Sequence, residues 1–196
     1  MPKERLESFS DGVFAIVITL LVLNVHLDRD QELTLQTPAS LGPEMLAFAL
    51  TFVIVGVYWV SHHSMMHMIE AVDRRLLWLN LLLAARRVFI PFPAYLLGRH
   101  LWNPLAAAIY GLNLMTVNAL GTLLWFYASS RPGIISDGVS PRAIRFIARL
   151  HSARIAVYAA AVLLAPPGSR SEASRLIRRG NHILWPAESF PGAAVG

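Results

Sequence analysis

The chain has 196 residues, of which 55% are hydrophobic and only 15% are charged, and its mean hydropathy is +0.50. A soluble domain of this size carries about 25% charged residues, so the composition indicates a protein embedded in a lipid bilayer. The chain has no cysteine, which excludes disulfides and thiolate metal sites. The net charge of +5 informs membrane topology, and no segment interleaves basic and aromatic residues as nucleic-acid binding would need.

Five segments are apolar enough to cross the bilayer as helices of about 17–25 residues, although the first is short unless it includes Phe9. In chain order they cover residues 12–27, 44–60, 76–97, 104–128 and 143–165. Short polar connections join them, and no similar apolar run follows Pro166. The sequence therefore predicts an all-α, polytopic membrane helix bundle over residues 1–165, with a sixth span missing or degraded. Residues 166–196 are predicted to form a polar, basic tail that is interfacial or disordered.

The positive charges indicate which end of the bundle faces the cytoplasm, because cytoplasmic loops are enriched in Lys and Arg. With the N-terminus inside, the inner segments hold eight basic residues: Lys3, Arg5, Arg74, Arg75, Arg131, Arg142, Arg145 and Arg149. The outer loops then hold only Arg29 and Arg99. We therefore expect a multi-pass protein of the cell membrane with a cytoplasmic N-terminus, although five spans place the arginines of the tail outside.

The first span has two different faces when its residues are placed at 100° intervals. One face is aliphatic with a single hydroxyl, and it consists of Ile16, Thr19, Leu20, Leu23 and Leu27. The opposite side begins with a carboxylate, Asp11, and an ionisable group at a membrane boundary needs protein or water around it. Ser8-x-x-Asp11 is also compatible with a capped helix start, whereas Pro2 favours an earlier start that places Asp11 in the third turn.

Candidate partners for Asp11 lie in the second and third spans. Trp59 and His63 share a helix face, His62 is adjacent, and Asn80 lies early in the third span. Each of these side chains can donate a hydrogen bond to a carboxylate or a hydroxyl. The sequence therefore predicts polar contacts between the start of the first span and its two neighbours.

The histidines after Trp59 also raise the question of a metal. His63, His67 and Glu70 follow the spacing i, i+4 and i+7, which is compatible with metal binding. One helix would supply all three ligands at the water boundary, where histidines are more often structural. We therefore predict no metal site.

The start of the first span carries the motif R-x-x-x-F-S-D at Arg5, Phe9, Ser10 and Asp11. Followed by an aliphatic helix with an embedded threonine, this motif resembles that of the transmembrane protein 175 family of potassium channels. Supporting matches are Trp59 with His62 or His63, Asn80, and the PFP at residues 91–93. The resemblance covers roughly residues 5–165.

The resemblance implies six-helix units that form tetramers in prokaryotes, with a pore lined by the first helix and no TVGYG-type filter. It implies pore-facing layers at Ile16, Leu20 and Leu23 with Thr19 alongside, which agrees with the aliphatic face. It also implies a helix-docking network made of Arg5, Phe9, Ser10, Asp11, Trp59, His62 or His63, and Asn80. We therefore expect a homotetrameric, potassium-selective channel with a hydrophobic constriction, no cofactor, and potassium as the permeant ion.

Two features depart from the family pattern. The sixth span is missing or degraded, and Arg86-Arg87 lies at the centre of the third span, where one arginine costs about 2.5–3.5 kcal/mol on insertion scales. Either the third span shifts, or this chain is drifting from the family pattern, or the pair forms a site at a subunit interface. These departures keep open a non-conducting structural membrane protein or a small membrane transporter. No nucleophile–base pair, phosphate loop or paired acids occur in a span, so we expect no enzyme.

Overall fold

The computed structural model describes residues 2–26 and 41–164, and the regular elements in these ranges are six helices. They are α1 (Lys3–Val22), α2 (Gly42–Met68), α3 (Arg74–Val88), α4 (Pro91–Arg99), α5 (Pro104–Ser129) and α6 (Pro141–Leu164). Besides these helices, the described ranges contain one isolated antiparallel β-bridge, between Ile69 and Ile135. The prediction of an all-α membrane bundle is confirmed. The described residues do not include Leu27, most of the first connection or the tail after residue 164. The prediction about a sixth span therefore lies outside the described residues.

Three segments of the described chain are long and apolar enough to cross a membrane: Gly42–Met68, Arg74–Arg99 and Pro104–Ser129. The predicted first and fifth spans are also helical, as α1 and α6, but neither is among these three. In α1, five of the first nine residues are charged. A helix of this composition needs protein or water along much of its length, because lipid cannot solvate charged side chains.

Of the two helix starts that the sequence left open, α1 has the earlier one, which Pro2 marks. The helix begins at Lys3, and Pro2 occupies the cap position, where its missing N–H costs nothing. Ser8 does not cap a helix, since its hydroxyl donates to the carbonyl of Glu4 one turn earlier, at 2.8 Å. The reading of Ser8-x-x-Asp11 as a helix start is therefore wrong, and Asp11 lies in the third turn of α1.

The predicted third span is two helices rather than one. The first of them, α3, ends at Val88, and α4 starts again at Pro91 after a turn at Phe89 and Ile90. Pro91 and Pro93 have no N–H to donate to the preceding turn, so a continuous helix would lose two hydrogen bonds here. The break lets α4 pack closely on α2, where a Cβ at Gly98 would come within 3.2 Å of the backbone.

The connections after α2 and after α5 are tied together at one end of the bundle. The Ile69–Ile135 bridge joins them, and the Tyr127 hydroxyl donates to the carboxylate of Asp73, which also caps α3. Burial acts to raise the pKa of Asp73, but the hydrogen bonds from Tyr127 and from backbone N–H groups hold it below its ordinary value. Arg74, Arg75 and Arg131 surround this point, so one end of the bundle is basic.

Candidate functional site

The aliphatic face of α1 points away from the rest of the chain. Ile16, Leu20 and Leu23 are 56%, 37% and 68% exposed, and Thr19 is exposed beside them. The reverse face of the helix is buried, and its residues are Leu6, Ser10, Phe14, Val17 and Leu21. A single protomer therefore leaves uncovered a helix face that is aliphatic at one end and polar at the other, where Arg5 and Ser8 are exposed.

Thr19 places one hydroxyl within this exposed face. Its Oγ1 donates to the carbonyl of Ile16 at 2.9 Å, inside the same helix. The hydroxyl proton is thereby used, and the lone pairs of the oxygen stay free. A free oxygen lone pair is the ligand that an alkali cation needs, so this is the one side chain of the aliphatic face that can contact a cation.

The buried side of α1 is joined to α3 by a polar contact. Asn80 Nδ2 donates to Ser10 Oγ at 3.0 Å, while Ser10 itself donates to the carbonyl of Leu6. Both side chains are fully buried, so water does not compete for this hydrogen bond. The contact fixes the rotation of α1 at its second turn.

A second contact joins α1 to α2. Trp59 Nε1 donates to Asp11 Oδ1 at 2.9 Å, and the indole stacks on His63 with ring centroids 5.6 Å apart. His63 in turn lies 5.3 Å from the ring of His67. The structure thus places Asp11 beside Trp59, one of the partners that the sequence suggested, and away from the aliphatic face.

The other residues proposed for the docking network lie elsewhere. Arg5 and Phe9 are exposed on α1, away from the contacts of Ser10 and Asp11. His62 does not approach Asp11; it faces the core, where its ring lies 5.8 Å from that of Phe14. The described residues therefore form two separate contacts, Ser10 with Asn80 and Asp11 with Trp59, instead of one network.

The arginine pair of the third span lies against other side chains of the same protomer. An Arg87 terminal nitrogen lies 3.3 Å from His62 Nδ1, and its guanidinium lies 4.4 Å from the ring centre of Phe14. Arg86 donates to Asn113 Oδ1 at 2.8 Å. Neither a shifted span nor a subunit interface is needed for Arg87, because this side chain is buried inside the protomer. The pair is evident in the sequence, but the partners of the two arginines are not.

No group of three or more potential ligands that could hold a metal occurs among the described residues. The spacing of His63, His67 and Glu70 requires a continuous helix, whereas α2 ends at Met68. Glu70 consequently leaves the helix face that the two histidines share.

Comparison with known proteins places this chain in a defined family. Residues 5–91 match the family model described as the endosomal/lysosomal potassium channel TMEM175, and every residue proposed for the pore and for helix docking falls in that range. A protein of Chamaesiphon minutus named as a potassium channel is 33% identical over 140 residues, which cover 68% of this chain and 69% of that protein. The chain belongs to the TMEM175 family. The resemblance inferred from the R-x-x-x-F-S-D motif is thereby confirmed.

Two further comparisons concern the fold and the animal members of the TMEM175 family. The crystal structure of a lysosomal potassium-selective channel TMEM175 homolog from Chamaesiphon minutus superimposes with a TM-score of 0.70 at 29% identity, covering 83% of this chain and 86% of that one. A zebrafish (Danio rerio) protein named as an endosomal/lysosomal proton channel is 28% identical over 140 residues, which are 27% of its length. This membership agrees with the prediction that the chain is a membrane channel protein and not an enzyme.

Proposed function

We propose that this protein is a homotetrameric channel that conducts potassium passively through a pore lined by α1. The observation that carries the proposal is the uncovered face of α1, which is aliphatic at Ile16, Leu20 and Leu23 and polar around Arg5. Lipid would solvate the aliphatic part but not the charged part, so the whole face fits best against other copies of the chain around an aqueous axis. The named potassium channels among its relatives support potassium as the permeant ion.

Four copies of α1 around one axis would form rings of aliphatic side chains. Successive layers at Ile16 and Leu20 would lie about 6 Å apart along the helix, because each residue rises about 1.5 Å. A narrow apolar ring holds no water to hydrate a cation, so it blocks conduction until it widens. The rings would therefore act as a hydrophobic gate, and Thr19 would offer an oxygen to the ion close to the narrowest layers.

The polar contacts of α1 would set the rotation of this helix and thereby which of its side chains face the axis. Ser10 is held by Asn80 from α3, and Asp11 is held by Trp59 from α2, so α1 cannot rotate about its own axis without breaking both bonds. We assign these residues to helix docking rather than to ion coordination. The basic end of the bundle, near Arg74, Arg75 and Arg131, would face the cytoplasm together with the N-terminus in the cell membrane.

A flux assay on the purified protein in liposomes tests this function. Liposomes loaded with potassium should lose it rapidly down its gradient, at a rate that does not saturate, and sodium-loaded liposomes should lose their ion more slowly. A pH-sensitive dye inside the same liposomes reports proton flux, and protein-free liposomes are the control. The absence of any flux would indicate a structural membrane protein, and slow, saturable exchange would indicate a transporter. Proton flux without potassium flux would indicate a proton channel. Each of these results contradicts the proposal.

A further inference from the structure

A second polar feature lies inside the protomer, remote from the exposed face of α1. It is a small, partly enclosed cavity between α2, α3, α5 and α6, with a volume of about 20 Å³. The side chains that matter for its chemistry are Tyr58, His62, Arg87, Asn118, His151 and Arg154. A cavity of this size has room for about one water molecule or one monatomic ion.

Two hydrogen-bond donors at this cavity have no acceptor. Arg87 Nε and His62 Nε2 are both buried without a partner, in side chains that are only 5% and 3% exposed. Arg87 can only donate, so its contact with His62 Nδ1 at 3.3 Å makes that nitrogen the acceptor. The ring proton of a neutral His62 is then on Nε2, which becomes a second unsatisfied donor. These two donors at the cavity therefore each need an acceptor that their present contacts do not supply.

The cavity also lacks negative charge. Arg87 and Arg154 both line it, and none of the described residues that line it is an Asp or a Glu. Arg154 donates to the neutral hydroxyl of Ser61 at 2.9 Å, and Asn118 donates to the hydroxyl of Tyr58. Burying a guanidinium away from water without a counter-charge is costly, and the ring of Phe14 offers only partial compensation. A negatively charged occupant would satisfy both the donors and the charge.

We propose that this cavity binds a small inorganic monovalent anion, for which chloride is the natural candidate by size. The anion accepts hydrogen bonds from Arg87 Nε and His62 Nε2 and lies between the two guanidinium groups. It joins four helices of the protomer around one charge, so its role is to stabilise the subunit rather than to permeate. The competing occupant is a water molecule, which would donate to the Nε2 of His151, since the Nδ1 of that ring lies 3.0 Å from the Ile147 carbonyl.

Thermal unfolding of the purified, full-length protein in detergent tests the binding. Potassium chloride and potassium gluconate are compared at equal ionic strength, because gluconate is too large for the cavity. Chloride at about ten times its Kd is expected to raise the midpoint by about 3–6 °C relative to gluconate. The variant Arg87→Gln should lose this difference, whereas Arg86→Gln should keep it, because Arg86 contacts Asn113 and does not line the cavity.

Diffraction from crystals of the unmodified protein grown in bromide gives an answer that does not depend on any variant folding. One anomalous peak per protomer is expected between Arg87 and His62. An ordered water at that position without anomalous signal would overturn the proposal, as would equal unfolding midpoints of the unmodified protein in chloride and gluconate. An equal chloride effect in Arg87→Gln would overturn it as well. None of these outcomes depends on potassium flux, so the inference can fail or stand independently of the channel proposal.

Discussion

Ile16→Asn is expected to raise the single-channel potassium conductance about tenfold, which corresponds to a barrier lowered by about 1.4 kcal/mol. Ile16 is more than half exposed in the protomer, so the substitution leaves the subunit core intact. In the proposed tetramer it would convert one apolar ring into a ring of amides that can hydrate the ion. The closed constriction at this layer should then hold water, and selectivity for potassium over sodium should weaken at the same time.

Single-channel recording in planar bilayers measures this effect, and Val22→Asn is the matched control. Val22 is also an exposed aliphatic side chain of α1, at 54% exposure, but it lies towards the Asp11 side of the helix. The control variant should conduct as the unmodified protein does. Unchanged currents in Ile16→Asn would remove Ile16 from the gate, and an equal increase in both variants would contradict the assignment of the pore face.

The second large effect is expected at Asp11. Asp11→Ala removes the acceptor for Trp59 Nε1, and a hydrogen bond to a charged group contributes about 1.5–3 kcal/mol. Because Asp11 is exposed in the protomer, we expect about 1 kcal/mol for each subunit. If assembly requires a correctly oriented α1, all four subunits of the tetramer lose this free-energy contribution. The association constant of the tetramer should then fall about 10³-fold.

Mass measurement in mild detergent over a range of protein concentrations reports this change. Asp137→Ala is the control, since Asp137 is an exposed carboxylate in the connection between α5 and α6. Trp59→Phe should weaken assembly to a similar degree, and the double variant with Asp11→Ala should be little worse than either single one. A variant that assembles normally but shows an altered potassium-to-sodium permeability ratio would show that Asp11 coordinates ions and does not dock the helix.

Much of the fold and of the exposed helix face could be predicted because both depend on local pattern. Apolar length and 3.6-residue periodicity are properties of one segment, and they located the helices and the face of Ile16, Leu20 and Leu23. The choice of Trp59 as a neighbour of Asp11 came from hydrogen-bonding capacity and from the family resemblance. The start of α1 was harder to predict, because its charged first turn does not resemble a membrane span. Pro2 was the one signal that marked the start.

The features that the sequence does not predict depend on contacts between distant segments. His62 and His63 are adjacent. His63 meets Trp59 through their i, i+4 spacing on α2, whereas only the packing of α3 decides that His62 meets Arg87. A usable signal was present, because Arg87 in mid-span requires polar neighbours and His151 is one of the polar residues of a later span. A signal for the turn before Pro91 was also present, because Pro91 and Pro93 cannot donate hydrogen bonds to the preceding turn of a continuous helix.

Cysteine accessibility along α1 tests the pore assignment most directly, because the chain contains no cysteine of its own. Potassium currents are recorded from variants with a single cysteine at Ile16, Leu20, Leu23 or the buried Val17, before and after a positively charged thiol reagent. We expect rapid block at Ile16→Cys, Leu20→Cys and Leu23→Cys, and no block at Val17→Cys. Currents that persist in all three variants of the exposed face, or that are blocked only at Val17→Cys, would show that another surface lines the pore.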